Sequence, residues 1–118
     1  MAPEILRNEA YDMKIDIWGV GVIAHIILCG CPPFDGESEE DVNIAIQKSN
    51  PSFGSKRIKK HLSKDAIDFI TQCLCKEPIG RPHAYDLLSH KWLLSNAKEK
   101  ELDPEVAKEI AKNIRAFQ

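Results

Sequence analysis

The chain of 118 residues, 43% hydrophobic and 29% charged, has the balance of one small globular domain built on a single core. Its net charge of -2 and pI near 6.1 exclude the strong positive field that holds nucleic acid or an acidic membrane surface. The opening Met1-Ala2-Pro3-Glu4 has neither the basic nor the apolar region of a secretory leader, so the expected compartment is the cytoplasm.

Pro3 suits a first helical turn and Glu4 puts a carboxylate at the positive end of a helix, which predicts a short helix over Pro3–Arg7. A polar connection, Asn8 to Met13, follows. Lys14 to Cys29 is the stretch that organises the chain. Between Ile15 and Leu28 only Asp16 and His25 are ionisable, and the apolar residues keep to no single stripe. Such a helix is a central pillar, because exposing any side of it leaves apolar surface in water. At roughly 16 residues, with Asp16, His25 and two glycines inside it, it is no comfortable membrane span.

Gly30 and the pair Pro32-Pro33 stop the pillar. Ser38 offers an N-cap, with Glu39, Glu40 and Asp41 in the first turn of a helix reaching about Lys48. Asn50 to Leu62 mixes Pro51, Gly54 and the basic run Lys56-Arg57-Ile58-Lys59-Lys60, and reads as a long loop docked on the core. Ser63 caps the next helix, in which Ala66, Ile67, Phe69, Ile70, Cys73 and Leu74 hold helical spacing until Lys76-Glu77-Pro78. Pro82 starts another at its first position, carrying Leu87 towards a core anchor at Trp92. Asp103-Pro104 opens the last helix, with Val106, Ile110, Ile114 and Phe117 on one face. No stretch has sustained strand period, so the fold class is all-α.

Cys29, Cys31, Cys73 and Cys75, with four histidines, raise the question of zinc. The C-x-C spacing argues against it, since ligands two residues apart on a helix point to different faces. Buried thiols in a cytosolic protein act as small apolar residues rather than as a disulfide framework. His25, His61, His83 and His90 read as isolated structural or surface histidines. No metal ligand set is assigned.

Four elements in order, Ala2-Pro3-Glu4, Asp16-x-Trp18-x-x-Gly21, Gly30-x-Pro32-Pro33-Phe34, and Gly80-Arg81-Pro82 followed by His90-x-Trp92, resemble the C-terminal half of the large lobe of a eukaryotic serine/threonine protein kinase. The wording of these stretches is most similar to calcium/calmodulin-type kinases, above all the calcium-dependent kinases of plants and protists. The resemblance implies a partial kinase C-lobe over residues 1–94, then a linker and the start of a regulatory junction helix over 95–118. It implies a buried ion pair between Glu4 and Arg81, whose rupture costs about 3–5 kcal/mol by stranding a charge. Asp16 matches the aspartate that accepts hydrogen bonds from the catalytic-loop backbone, Trp18 belongs to the same motif, and Gly21 permits close helix approach. Gly19, where relatives carry serine or alanine, is expected to answer to packing. Ile26 stands where some basophilic relatives place a substrate-reading glutamate.

The departures matter as much. Phosphoryl transfer in this family needs a Gly-rich phosphate cover, a strand lysine, H-R-D-x-x-x-x-N and D-F-G. None of these occurs in the chain. No catalytic residue and no cofactor site is assigned to it, and it is expected to be inactive alone; ATP and magnesium belong to the parent kinase. No EF-hand loop is present for calcium. The resemblance implies protein substrates and a calcium-sensor domain as the parent's partners. It also makes Met1 an internal methionine, and the chain the last third of a full kinase. The final helix stays open between a regulatory junction and a plain amphipathic surface helix. A second function, a free-standing helical interaction module derived from a kinase lobe, stands beside the first. In either case a pillar without its family neighbours exposes apolar surface, so self-association is expected.

Overall fold

Why these residues form helices is visible at the helix ends. The computed structural model describes residues 1–7, 9, 12–94 and 104–117. Three of the helices start on a serine whose Oγ accepts the backbone N–H three residues on: Ser38 from Asp41, Ser55 from Ile58 and Ser63 from Ala66. The order is α1 Pro3–Leu6, α2 Lys14–Cys29, α3 Glu39–Lys48, α4 Lys56–His61, α5 Lys64–Cys73, a 3-10 turn at Pro78–Gly80, α6 Ala84–Leu88, α7 Lys91–Leu94 and α8 Pro104–Phe117. No strand occurs among the described residues, and the fold is all-α.

Three local expectations are corrected. Asn50 to Leu62 is no simple loop: Ser55 caps α4, whose basic side chains face water while Ile58 is fully buried. Pro82 is not the first residue of α6. His83 is the N-cap, and its N–H donates to the Asp86 carboxylate. The segment bearing Trp92 is a separate helix, because Ser89 ends α6. The expected linker from Asn96 to Leu102 lies outside the described residues, as do residues 8, 10 and 11 and the side chains of Ile114 and Phe117.

The pillar α2 runs through the middle and ends at Gly30, whose φ of 74° is the left-handed turn that glycine adopts without strain. It packs on α5 at Gly21, where an added Cβ would stand 2.7 Å from the Cys73 Cβ. That contact sets the depth of the main core, which gathers Ile17, Trp18, Phe34, Ile46, Phe69, Ile70 and Leu87. A smaller core of Cys29, Ile58 and Val106 lies under α8 at the pillar's far end. Gly19 differs from expectation: a Cβ there would meet nothing within 4 Å. No packing demand from the described residues explains it.

Candidate functional site

Two buried polar groups tie distant segments to the two ends of α2. At the N-terminal end, Glu4 and Arg81 are 1% and 2% exposed. Arg81 Nη1 donates to Glu4 Oε2 at 2.7 Å and Nη2 to Oε1 at 2.8 Å, the bidentate geometry that planar guanidinium favours. The remaining N–H bonds go to the carbonyls of Cys75 (2.7 Å), Lys14 (3.1 Å) and Lys76 (3.3 Å). Every donor of the guanidinium is thus used, and its face lies 5.1 Å from the Trp18 ring centroid. The Lys14 ammonium donates in turn to the Arg81 carbonyl. Burial pushes the Glu4 carboxyl up, but the Arg81 hydrogen bonds and charge outweigh it and hold the group below its ordinary range.

Trp18 stacks on Phe34 with centroids 5.7 Å apart and planes 6° from parallel. The Lys76 ammonium sits 4.4 Å from the Phe34 centroid and donates to the Ile46 carbonyl at 2.6 Å. The structure therefore brings Glu4, Arg81 and Trp18 together. Gly21 lies one turn along the same helix, against α5. Asp16 stands apart, its side chain exposed, while its backbone N–H donates to the Met13 carbonyl at 3.1 Å. It opens onto a cleft of about 500 Å³ shared with Asp12, Met13, Ile17 and His83.

At the C-terminal end His25 is fully buried. Its Nδ1 lies 2.9 Å from the Cys31 carbonyl, and its Nε2 accepts the Phe53 N–H at 3.0 Å. Burial lowers its tendency to protonate more than the Cys31 bond raises it, so the ring is held neutral beyond the usual histidine range. Sequence reading placed His25 among isolated histidines and missed this bridge. The available signal was an ionisable group inside an otherwise apolar helix.

The two buried cysteines, Cys29 and Cys73, hold their protons. Burial pushes the Cys29 thiol up to about 12, with Cys31 adding to it, and the Cys73 thiol to about 11. Among the described residues no three His, Cys, Asp or Glu side chains gather where they could hold a metal ion. None of the helices is long and apolar enough to cross a membrane, among the described residues.

One face of α2 is left open by the described residues. Val20, Ile23 and Ile27 are 40%, 60% and 64% exposed. With Phe69, Trp92 and Leu93 they line an apolar groove of about 430 Å³.

Comparison with known proteins bears on this geometry directly. The family model described as "Protein kinase domain" matches residues 1–93. A calcium/calmodulin-dependent protein kinase type 1 from Caenorhabditis elegans is 40% identical over 96 residues, which cover 81% of this chain and 27% of that protein. A myosin light chain kinase A from Dictyostelium discoideum is 37% identical over 109 residues, 92% of this chain and 37% of the relative. A calcium-dependent protein kinase 5 from Plasmodium berghei is 34% identical over 119 residues, 99% of this chain and 21% of the relative. The chain thus spans between 21% and 37% of the length of these curated relatives. That family implies ATP and magnesium. Among the described residues no cluster of metal-ligating side chains is placed to hold the magnesium.

Proposed function

The chain belongs to the protein kinase domain family, and from that premise we propose that it forms the base of the large lobe of a calcium/calmodulin-type serine/threonine kinase. In the complete protein the reaction is ATP-dependent phosphoryl transfer to protein serine and threonine hydroxyls. The names of the relatives, calcium/calmodulin-dependent and calcium-dependent kinases, support calcium control through a sensor domain.

The observation that carries this reading is the buried Glu4–Arg81 pair. It joins Ala2-Pro3-Glu4, the end of the family's activation segment, to the floor of the lobe through five hydrogen bonds on one guanidinium. A charge sealed this completely acts as a fixed anchor rather than as a reacting group. Residues 1–94 form the lobe floor and residues 95–118 the linker and junction, with α8 as the start of the regulatory helix. The chain supplies no base, metal ligand or phosphate cradle, and alone it transfers no phosphate. Its compartment is the cytoplasm.

The bare face of α2 supports association between copies of the isolated chain, since a groove lined by Val20, Ile23 and Ile27 is hidden most simply against a second copy. The same face gives the second reading, a free-standing interaction module, its one specific support.

An antibody raised against the 103–118 peptide separates the two. A native polypeptide several times heavier than 13.3 kDa, with H-R-D and D-F-G in its upstream peptides, is the expected result. A native polypeptide of 13.3 kDa overturns the kinase-lobe reading in favour of the module.

A further inference from the structure

The His25 bridge permits only one protonation state. A carbonyl can only accept and a backbone N–H can only donate, so Nδ1 carries the proton towards Cys31 and Nε2 offers its lone pair to Phe53. A second proton on the ring would set Nε2–H against the Phe53 N–H, two donors face to face, while leaving the Nδ1 bond intact. The damage is confined to the Phe53 side.

That side is where the backbone is under strain. Phe53 has φ of 54°, a left-handed conformation that a bulky residue holds only when its surroundings require it. Next to it Gly54 lies directly over the small core: a Cβ there would stand 3.4 Å from the Cys29 Cβ and 3.5 Å from the Ile58 Cδ1. Cys29 and Ile58 are also the surface on which α8 rests through Val106. Contact thus runs from His25 through Phe53 and Gly54 to the seat of α8.

No carboxylate of a described residue bonds either ring nitrogen to offset a second proton. On α2 there is the protonated Cys29 thiol, and in the following loop the Cys31 thiol with the exposed Asp35 beside it. The segment from Ser49 to Ser55 has no titratable side chain. On α4 the Lys59 ammonium stands 5.9 Å from the Phe53 ring centroid, a further positive charge. From α8 comes the uncharged Asn113, whose Nδ2 donates to the Cys29 carbonyl at 3.4 Å, and Glu105 at the far end reaches Arg57 at 3.9 Å.

We propose that His25 is a pH-sensitive latch: protonating its ring frees the Phe53 N–H, lifts the 53–55 turn from the small core and so loosens the seat of α8. The latch operates whether α8 is a regulatory junction or a surface helix. The test is amide hydrogen exchange by NMR on the whole chain, read as protection factors between about pH 7.5 and about pH 5.5, which brackets the histidine range.

Protection at Phe53, Gly54 and the amides of α8 should fall by up to about tenfold over that interval, the most that one ring titrating at its ordinary value in the opened state can give, while α2 and α5 interior amides hold theirs. A uniform fall across all helices, no fall at Phe53, or a fall at Phe53 with α8 unchanged would each overturn the proposal. The ring nitrogens give a separate reading: the Nδ1–H tautomer is required at neutral pH, and an Nε2–H tautomer refutes the latch. His25→Gln, which cannot gain a charge, should show flat protection at Phe53 across the same interval. The same pH-dependent loss in that variant also refutes the latch. Should His25→Gln not fold, the native chain's exchange and tautomer decide alone.

Discussion

The two ends of α2 solve one problem by opposite means. Each must hold a chain segment far away in sequence, Glu4 to Arg81 at one end and His25 to Phe53 at the other. The first uses a full charge pair, and its cost of burial is offset because every guanidinium donor has an acceptor. The second uses an uncharged ring with one donor and one acceptor, and stays neutral because burial makes charging it unfavourable. A saturated charge pair yields only to loss of a partner or to acid strong enough to protonate Glu4. A neutral histidine is open to a change as small as one proton.

Removing a partner breaks the first node outright. Arg81→Ala should destabilise the chain by about 3–5 kcal/mol, since the buried Glu4 carboxylate loses its guanidinium and three carbonyls lose a donor; urea melts of mutant and native chain measure it. Acid breaks both nodes reversibly, in separate windows. The Glu4 carboxyl is held below its ordinary 4.5, so the pair's contribution is whole above that pH and disappears as pH falls through the lower folded-state value. The His25 ring is held below its ordinary 6.5. Unfolded chains take up that proton first, and stability declines as pH drops beneath 6.5 until the folded ring is protonated as well. Urea midpoints plotted against pH should therefore fall in two stages, and His25→Gln should abolish the upper stage alone.

Between the nodes, the two glycines of α2 make a matched pair. Gly21→Ala should cost about 1–3 kcal/mol, because its Cβ meets the Cys73 Cβ and the backbones must part. Gly19→Ala should instead stabilise by up to about 1 kcal/mol, through helix propensity with no clash. Thermal melts in which both variants shift the same way would show that the spacing of α2 and α5 is not set at Gly21.

Much of this was legible because the signals were local. The bounds of α2 follow from a run of apolar residues closed by Gly30 and two prolines, and the serines at 38 and 63 announce α3 and α5. α4 was obscured because five basic side chains around a single isoleucine give almost no apolar stripe, although Ser55 caps it as Ser63 caps α5. Pro82 misled because its ring suits a first turn, whereas the chain turns on His83 instead. Gly19 has no reason in the contacts of the described residues. The role of His25 depends on Phe53, 28 residues away, and no periodicity within α2 points there.

The separation of Glu4 from Arg81, 77 residues, has a consequence in time. On a ribosome adding about 5–20 residues per second, the glutamate emerges about 4–15 s before the arginine that receives it. Throughout that interval α1, α2 and α3 can form from local contacts, but the floor that unites them cannot close. The nascent chain carries a solvated carboxylate and an uncovered Trp18 until its C-terminal third arrives. The Glu4–Arg81 node therefore closes only after the helices it unites have been made, and while it waits the apolar pillar is open to chaperones.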